Sequence, residues 1–505
     1  MELYMKKKNN MRKMTVRQGW HQALGLVAAV CVGMQMPLVA AAQEHEQWPD
    51  FPLLKITTEG GEEPAATVVR PPEGAVGISI LSDYVPGRLV MTLSGDTLYD
   101  SGEYAKDASG MRIKIRGNST GANLPQHPYK LKLSKKFDLV GADDALKDKE
   151  WALLSITMGN TAMRNGKNNI MVYAGLSVSR MLGFPWVPRT RPVNVVINGS
   201  YRGLYHLIET VKRADVRIRT DKSGFVIEDN AYWWKEGETY FKTDRQHPFM
   251  GFTFKYPDDD DLAPDRLDAI RDYVNRAEEA VFTRHGAADY IDYESFARWV
   301  LAHDILGSGD SAGSNPFLYK DEKETDEPGQ SKLMMATPWD FDSSFLAEDG
   351  QWGVQHWSDV LFMSQLFNDP AFVEKYLEAY DEVKDKAFAY VENAFNELRN
   401  SSGKAFDESF QLTNTVYGGY SVNTFDEQVD DILTHLRARL STLEQLTGEL
   451  RQSLSAADHV AKDGKRLVKR FDVRGIDYTG TDEENLPHQI YIDRYSDGTV
   501  TKTYK

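Results

Sequence analysis

Apolar and polar residues alternate along several short stretches in the first half of the chain. A period of two is typical of strands that bury one face against a core. Two of these stretches flank the turn Asn198-Gly199, which favours a hairpin. The predicted strands are Leu53–Thr57, Ile78–Ile80, Leu89–Leu93, Met111–Ile115, Tyr129–Leu133, Val193–Ile197, Arg202–Ile208 and Phe225–Glu228.

Later in the chain the apolar positions recur every three to four residues, which indicates amphipathic helices. Asp292 can cap one of these helices and Gly307 can end it, while the acidic run 258–261 is interpreted as the solvated entry to another. The predicted helices are 168–182, 267–281, 292–305, 371–398 and 425–453. Further strands are predicted at 317–320, at 332–337 and from about 465. This order predicts an α+β fold with two lobes, β-rich first and α-rich last.

The N-terminal residues have the composition of an export signal. Basic residues come first, an apolar stretch covers 23–40, and Ala40-Ala41-Ala42 offers small residues for cleavage. We therefore expect a signal peptide at 1–42 and a periplasmic, cell-surface or secreted protein. Cys31, the only cysteine, lies inside this segment, so thiol chemistry and disulfides are not expected in the exported protein. The Pro-, Gly- and Glu-rich residues 43–75 are interpreted as a flexible tether.

The charge balance restricts the partners. The chain has 59 Lys and Arg against 75 Asp and Glu, a formal net charge of −16. Such acidity argues against binding to nucleic acid or to an anionic membrane, and no later run is long and apolar enough for a stable membrane span. A site for a phosphate-rich ligand would need Lys and Arg concentrated locally, or a divalent cation.

Two short motifs supply acidic and amide side chains suited to such a site. Asp310 and Asn315 lie five positions apart on a loop between a predicted helix and a predicted strand. This is the spacing of a kinase catalytic loop, where the Asp orients the acceptor hydroxyl and the Asn binds metal. The next predicted strand leads into Trp339-Asp340-Phe341-Asp342, the position at which kinases place a metal-binding Asp.

Basic residues occur on the preceding strands. The loop 116–121 contains Arg116, Gly117 and Asn118, and is suited to binding phosphates through its backbone N–H groups and its guanidinium. Lys130 and Lys132 alternate along the strand that follows, so that both could point towards one ligand.

Taken together, these motifs resemble the bacterial spore-coat CotH kinase-like family. The resemblance spans about 78–345 and rests on R-G-N-S-T (116–120), P-Y-K-L-K-L (128–133), W-A-L-L-S (151–155), M-R-N (163–165), N-G-S-Y-R-G-L-Y-H-L-I-E (198–209), G-S-G-D (307–310), N-P-F-L-Y-K-D (315–321) and P-W-D-F-D (338–342). It implies a secreted protein kinase with an atypical two-lobed kinase fold, using ATP with Mg²⁺ or Mn²⁺ to phosphorylate Ser or Thr hydroxyls of a protein. The implied domain is 76–455, with an N-lobe at about 76–212 and a C-lobe at about 213–455, followed by a hairpin-like tail at 456–505.

The resemblance also implies roles for individual residues. Asp310 would be the catalytic Asp, Asn315 a metal ligand, and Asp340 the main metal-binding Asp, with Asp342 a second candidate. Lys130 or Lys132 would pair with phosphate. The remaining nucleotide-binding candidates are Arg116, Asn118, Arg164, Glu209 and Val211, the last two in a hinge between the lobes.

The predicted helix 168–182 departs from the kinase pattern, because it has no acidic residue to pair with the strand lysine. Either another carboxylate, such as Glu209 or Glu228, pairs with that lysine, or the lysine is held differently. Two alternatives to an active kinase are also compatible with the sequence. One is a catalytically inactive kinase-like binding protein or adhesin. The other is a carbohydrate-active protein, suggested by Trp233-Trp234 and the abundant carboxylates.

Overall fold

The computed structural model describes residues 48–157, 169–235, 237, 239–308, 315–321, 331–345, 351–353, 361–418, 423–462, 467–473, 475–479, 486–487, 490–495 and 499–504. The expected signal peptide, Arg164 and Asp310 lie outside these ranges. Within them the chain is a mixed α+β protein, β-rich in its N-terminal part and helical towards its C-terminal part, as the sequence predicts.

Seven strands in the first half of the chain form a closed barrel. The first ten strands are β1 (Leu53–Thr58), β2 (Thr67–Val69), β3 (Ser79–Leu81), β4 (Val85–Leu93), β5 (Asp96–Asp100), β6 (Met111–Ile115), β7 (Tyr129–Phe137), β8 (Asp148–Ser155), β9 (Thr190–Ile197) and β10 (Ser200–Glu209). The barrel order is β1-β9-β10-β8-β7-β6-β4, and β4 closes the ring by pairing with β1. β5 extends the sheet beyond β4, and β2 pairs with β3 alone. Because β1 is a barrel strand, the stretch 43–75 is not a tether throughout.

The barrel interior is one hydrophobic core. Alternate residues of each strand point inwards, as the period of two predicts, and they include the fully buried Leu131, Trp151 and Leu207. Truncating a buried aromatic side chain to Ala costs about 3–5 kcal/mol in such a core. The residues between them point outwards, so the outer face of β7 carries Lys130 and Lys132.

A second sheet follows the barrel. Its strands are β11 (Phe225–Asn230), β12 (Tyr240–Phe241), β13 (Gly251–Tyr256), β14 (Phe317–Lys320) and β15 (Met334–Met335). They are antiparallel, in the order β12-β13-β11-β14-β15. β15 is shorter than the strand predicted at 332–337. After β15, the Ala336 N–H still donates to Phe317 O at 2.8 Å. Pro338 has no N–H to donate, so it cannot extend this pairing.

Helices dominate the rest of the chain. They are α1 (Ser119–Asn123), α2 (Met171–Met181), α3 (Pro264–Thr283), α4 (Ala287–Tyr290), α5 (Tyr293–Leu306), α6 (Met363–Leu366), α7 (Pro370–Val383), α8 (Ala387–Tyr417) and α9 (Phe425–Lys462), with 3-10 turns at Glu59–Gly61, Asp144–Leu146 and Asp259–Asp261. The Asp292 side chain caps α5 by accepting from Ser295 N at 2.7 Å, and Gly307 ends it in the left-handed region. The acidic run 258–261 is exposed and precedes α3, as the sequence analysis interpreted it.

A second hydrophobic core joins these helices to both sheets. It contains the outward-facing Ala152 and Ile208 of the barrel, the inner face of the second sheet and most of α2 and α5. The side of the barrel that carries β8 and β10 is therefore covered by the helical part. Among the described residues, none of the helices combines the length and the apolar character needed to cross a membrane.

The C-terminal residues form a separate small sheet of three strands. These are β16 (Leu467–Asp472), β17 (Ile490–Tyr495) and β18 (Val500–Tyr504), in that order. A buried ion pair joins Arg470 Nε to Asp493 Oδ1 at 2.7 Å. The helix α9 runs past the expected boundary at 455, so the tail begins later than the sequence suggested.

Candidate functional site

The second sheet brings Asn315 and Asp340 together. Asn315 lies two residues before β14, and Asp340 lies five residues after β15. Since the two strands are antiparallel, these positions share one end of the sheet. Asn315 Nδ2 donates to Asp340 Oδ2 at 3.4 Å. This contact leaves the amide oxygen of Asn315 as an additional oxygen ligand beside the carboxylate.

The aromatic residues of the same motif hold Asp340 in place. Trp339 and Phe341 are buried at 8% and 5% exposure, and the Phe341 ring packs directly on Gly175 of α2, where any side chain would collide with it. Asp340 itself takes a left-handed backbone conformation, with φ of 67°. The chain therefore turns between two anchored rings and presents the carboxylate away from the core.

The Asp340 carboxylate is also in contact with Asp342. Both the carboxyl group and the backbone N–H of Asp342 lie within hydrogen-bonding distance of it. Burial raises the pKa of Asp340, while Asp342, Arg116 and Asn315 oppose that rise. Water nevertheless reaches the exposed Asp340 side chain, so the group lies in a recess densely surrounded by protein rather than in the core.

Arg116 faces this recess from the barrel. It immediately follows β6, where its N–H donates to Pro128 O at 2.9 Å. Burial lowers the pKa of Arg116, and the negative charges of Asp340 and Glu228 act in the opposite direction. The guanidinium therefore lies between the barrel and the second sheet, within the field of the Asp340 carboxylate.

Lys130, one of the two strand lysines of β7, is near enough to Arg116 for their charges to interact. Burial lowers the pKa of Lys130, and the positive charges of Lys114 and Arg116 lower it further. Lys130 Nζ lies 3.0 Å from Glu150 Oε2, and Lys132 Nζ lies 3.4 Å from Glu150 Oε1. Although burial favours the neutral acid, the cations around Glu150 hold its pKa at about 2. Charge interactions thus link Lys130 to Arg116 and Arg116 to Asp340, and Lys132 shares Glu150 with Lys130.

Asn118 stands in the loop that follows Arg116, and it has a structural contact of its own. Its Oδ1 accepts from Ser79 Oγ at 2.7 Å. Gly117 has φ of +93°, a conformation that favours glycine, and the next residues form the single turn of α1. The loop is a tight helical turn fastened to β3, so its backbone geometry is fixed before any ligand binds.

The expected hinge residues have different surroundings. Glu209 and Asp138 both bind Arg189: Arg189 Nη2 lies 2.9 Å from Glu209 Oε1, and Arg189 Nη1 lies 2.8 Å from Asp138 Oδ2. Val211 packs against the second core. The Thr210 carbonyl accepts from Arg217 Nη1 at 2.8 Å. The Glu209 side chain is therefore occupied in holding the end of β10.

The carboxylate that partners the strand lysines is Glu150, which was not among the residues predicted for this role. Glu209 binds Arg189, and Glu228 binds Lys255, with Glu228 Oε2 lying 2.8 Å from Lys255 Nζ. The motif W-A-L-L-S could have indicated Glu150, which immediately precedes it. If this motif is assigned to the strand beside β7, Glu150 lies directly opposite Lys132.

The ligand set suits a divalent cation held with phosphate. In the described part of the chain, no group of three or more His, Cys, Asp and Glu residues is placed to hold a metal ion. The oxygens of Asp340, Asp342 and Asn315 are nevertheless the type that Mg²⁺ prefers, and Mg²⁺ is usually completed by substrate phosphates and water. These oxygens therefore suit a cation whose coordination is completed by other ligands better than a cation held by the protein alone.

Comparison with known proteins agrees with these motifs. No curated protein matches the sequence. The model of one protein family, described as CotH kinase protein, matches residues 113–443, which is more than half of the chain and includes every described site residue named above. The chain belongs to the CotH kinase protein family.

Proposed function

We propose that this protein transfers the γ-phosphate of ATP to Ser or Thr hydroxyls of a protein acceptor, after export. The supporting observation is that Arg116 is near enough for its charge to act on both Lys130 and Asp340, and that Asp340 accepts a hydrogen bond from Asn315. In a chain of net charge −16 this is the local concentration of cations and oxygen ligands that a triphosphate requires. The barrel would act as the smaller lobe and the helical part as the larger lobe of a kinase-like fold.

The residues would divide the work of binding. Lys130, oriented by Glu150, and Arg116 would bind the phosphate oxygens, and the preset turn after Arg116 would contribute backbone N–H groups. Lys132, which shares Glu150, is the second candidate for the phosphate lysine. Asp340 and Asn315, with Asp342, would hold Mg²⁺ or Mn²⁺, which would neutralise charge on the phosphates.

The transfer itself needs little covalent chemistry from the protein. The acceptor oxygen attacks the γ-phosphorus, the bond from that phosphorus to the bridging oxygen of ADP breaks, and the acceptor proton leaves. Asp310, which lies outside the described residues, is the proposed acceptor of that proton. The site would accelerate the reaction chiefly by positioning and by preset charge.

A thermal-shift titration with Asp340→Ala tests nucleotide and metal binding. Mg²⁺ with a nonhydrolysable ATP analogue should stabilise the wild-type protein, by about 2.7 kcal/mol when the ligand is at a hundred times its Kd. Asp340→Ala should remove the Mg²⁺-dependent part of this stabilisation. An unchanged shift in that variant would exclude the assigned metal site.

Incorporation of labelled phosphate then separates transfer from binding. Asp310→Ala should keep the nucleotide-dependent shift but abolish autophosphorylation and phosphorylation of acceptor protein. If wild-type protein binds nucleotide with metal yet transfers nothing to any acceptor, the chain is a kinase-like binding protein instead.

A further inference from the structure

The outer face of the barrel places like charges directly opposite one another. Arg112 of β6 pairs in register with Lys132 of β7, and Lys114 pairs with Lys130. Side chains at paired positions of antiparallel strands lie on the same face, and like charges there destabilise the sheet. Glu150 on the next strand pairs with Lys130 and Lys132 and offsets part of this repulsion. A cluster of four cations around the carboxylate of Glu150 suits an anionic ligand.

Tyr84 extends this cluster by one strand. It immediately precedes β4, next to the point where β4 pairs with β6. The Arg112 guanidinium carbon lies 5.2 Å from the centre of its ring, and Lys114 Nζ lies 4.8 Å from it. These are cation–π distances. We call Tyr84, Arg112 and Lys114 the basic margin.

The basic margin lies on the open side of the nucleotide site. Along the barrel surface, Ala152 and Ile208 on β8 and β10 are covered by the helical part, with 0% and 1% exposure. On β7, the Lys130 and Lys132 side chains are 33% and 39% exposed. The sheet order continues from β7 to β6 and β4, away from β8 and β10, and the basic margin lies on and beside these two strands. It is about 5–10 Å from the lysines of β7, since neighbouring strands are about 4.8 Å apart.

We propose that the basic margin binds an acidic segment of the protein acceptor, with Asp or Glu side chains a few residues from the phosphorylated hydroxyl. This proposal rests on the function proposed above. Charge complementarity supports it, because the margin and β7 together present four cations while the chain as a whole is strongly acidic. Position supports it as well, because the margin is continuous with the phosphate-binding lysines and lies outside the covered face. The Tyr84 ring fixes the heads of Arg112 and Lys114 and so lowers the entropy lost when a carboxylate binds.

The test uses three synthetic peptides that carry the same Ser with acidic, neutral or basic flanking residues. Wild-type protein should phosphorylate the acidic peptide with a kcat/KM at least about tenfold above that of the neutral one, through KM, and this preference should shrink at high salt. Arg112→Glu/Lys114→Glu should abolish the preference, leave the neutral peptide within about twofold, and preserve the Mg²⁺-nucleotide thermal shift. Lys135→Glu/Lys136→Glu is the matched control: it makes the same charge change at exposed positions further along β7 and should keep the preference.

Each other outcome overturns the proposal in a distinct way. Equal kcat/KM for all three wild-type reactions would show that acidic flanks are not recognised. A lost nucleotide shift in the double variant would assign the margin to the nucleotide instead. If that variant does not fold, Arg112→Gln/Lys114→Gln takes its place with the same expectations.

Fluorescence anisotropy of the labelled acidic peptide separates this proposal from the proposed function. Suppose that the protein transfers no phosphate but binds the acidic peptide tightly, and that Arg112→Gln/Lys114→Gln weakens this binding at least about tenfold. This result would support peptide binding by the basic margin and refute the proposed kinase activity. Absence of such binding, with phosphotransfer intact, would refute the margin alone.

Discussion

The part of the chain that follows the barrel contains two pairs of neighbouring carboxyl groups, and the pairs differ in their exposure to solvent. The pair Asp340 and Asp342 lies in a recess that water reaches, with the Arg116 guanidinium and the Asn315 amide beside it. The other pair, Asp229 on β11 and Glu278 on α3, is buried at 1% and 3% exposure.

Burial has the largest influence on the pKa of both carboxyl groups in the buried pair. Burial raises the pKa of Asp229 to about 7, and the nearby Glu278 and Glu228 act in the same direction. Gln246 Nε2 donates to Asp229 Oδ1 at 2.7 Å, which opposes the rise only in part. Burial likewise raises the pKa of Glu278 to about 7, although Thr243 and Arg245 oppose it.

The comparison shows that a carboxyl cluster alone does not define an active site. Asp229 is only a short distance from the metal candidates, because its N–H donates to Pro316 O, next to Asn315, at 3.0 Å. It nevertheless faces the core, towards α3, because residues alternate along β11. Access to solvent distinguishes the pair proposed to hold Mg²⁺ from the buried pair, in which burial favours the protonated carboxyl groups.

The largest effect should come from replacing Asp340 by Asn, whereas the same replacement at Asp229 in the buried pair should have little effect. Asp340→Asn should lower Mg²⁺-dependent phosphotransfer at least about a thousandfold, which corresponds to about 4 kcal/mol of transition-state stabilisation, since it removes a charged metal ligand. Asp229→Asn, the matched control, should change the rate by less than about threefold. Steady-state rates over a range of Mg²⁺ concentrations measure both.

Equal losses in the two variants would contradict the distinction between the pairs. If excess Mn²⁺ restores part of the Asp340→Asn activity, the defect lies in metal affinity. The same rescue is not expected for Asp229→Asn.

A smaller effect, on stability, should come from the buried pair. In the unfolded chain Asp229 loses its proton near its ordinary pKa of 3.8, whereas in the folded protein it keeps it up to about pH 7. Between these values unfolding releases a proton, so the free energy of unfolding falls as pH rises from about 4 to about 7 and is flat above that range. The full shift of about three units corresponds to about 4 kcal/mol. Roughly half is expected, because the charge of Glu278 contributes to the shift and Glu278 is itself protonated over much of this pH range.

Asp229→Asn should therefore be about 2 kcal/mol more stable than wild type at pH 8 and nearly equal to it at pH 4. Urea unfolding at several pH values measures this difference. A constant difference between the two proteins at every pH would show that Asp229 has an ordinary pKa in the folded state.

Much of the fold follows from local sequence patterns. The strands β6 and β14 coincide with their predictions at Met111–Ile115 and Phe317–Lys320. Apolar and polar residues alternate along β6, whereas β14 is a short, mostly buried apolar run. The proximity of Asn315 and Asp340 was also predictable, since one strand of an antiparallel pair follows the former and the other strand precedes the latter.

Other features depend on contacts between distant parts of the chain. Closure of the barrel requires β1 to pair with β4 on one side and with β9 on the other, and no local pattern specifies such partners. β13 was not predicted, although it lies between β12 and β11 and pairs with both in the second sheet. The packing of β11 against α3 determines which carboxyl pair is buried. Local sequence therefore does not distinguish the buried pair from the exposed one.

The smallest effect should come from Glu150, the one carboxylate shared by both strand lysines. Glu150→Gln removes the charge that holds Lys130 and Lys132 at 3.0 and 3.4 Å, so the lysines should reach the phosphates in less uniform positions. We expect a roughly tenfold fall in kcat/KM for ATP, or about 1.4 kcal/mol, with a change in unfolding free energy below about 1 kcal/mol. Glu103→Gln, which removes an exposed carboxylate paired with Arg88, is the control and should leave kcat/KM unchanged. Wild-type kinetics in Glu150→Gln would show that the barrel strand alone positions the two lysines. In that case an exposed site lined by cations would bind phosphate without a carboxylate to orient those cations.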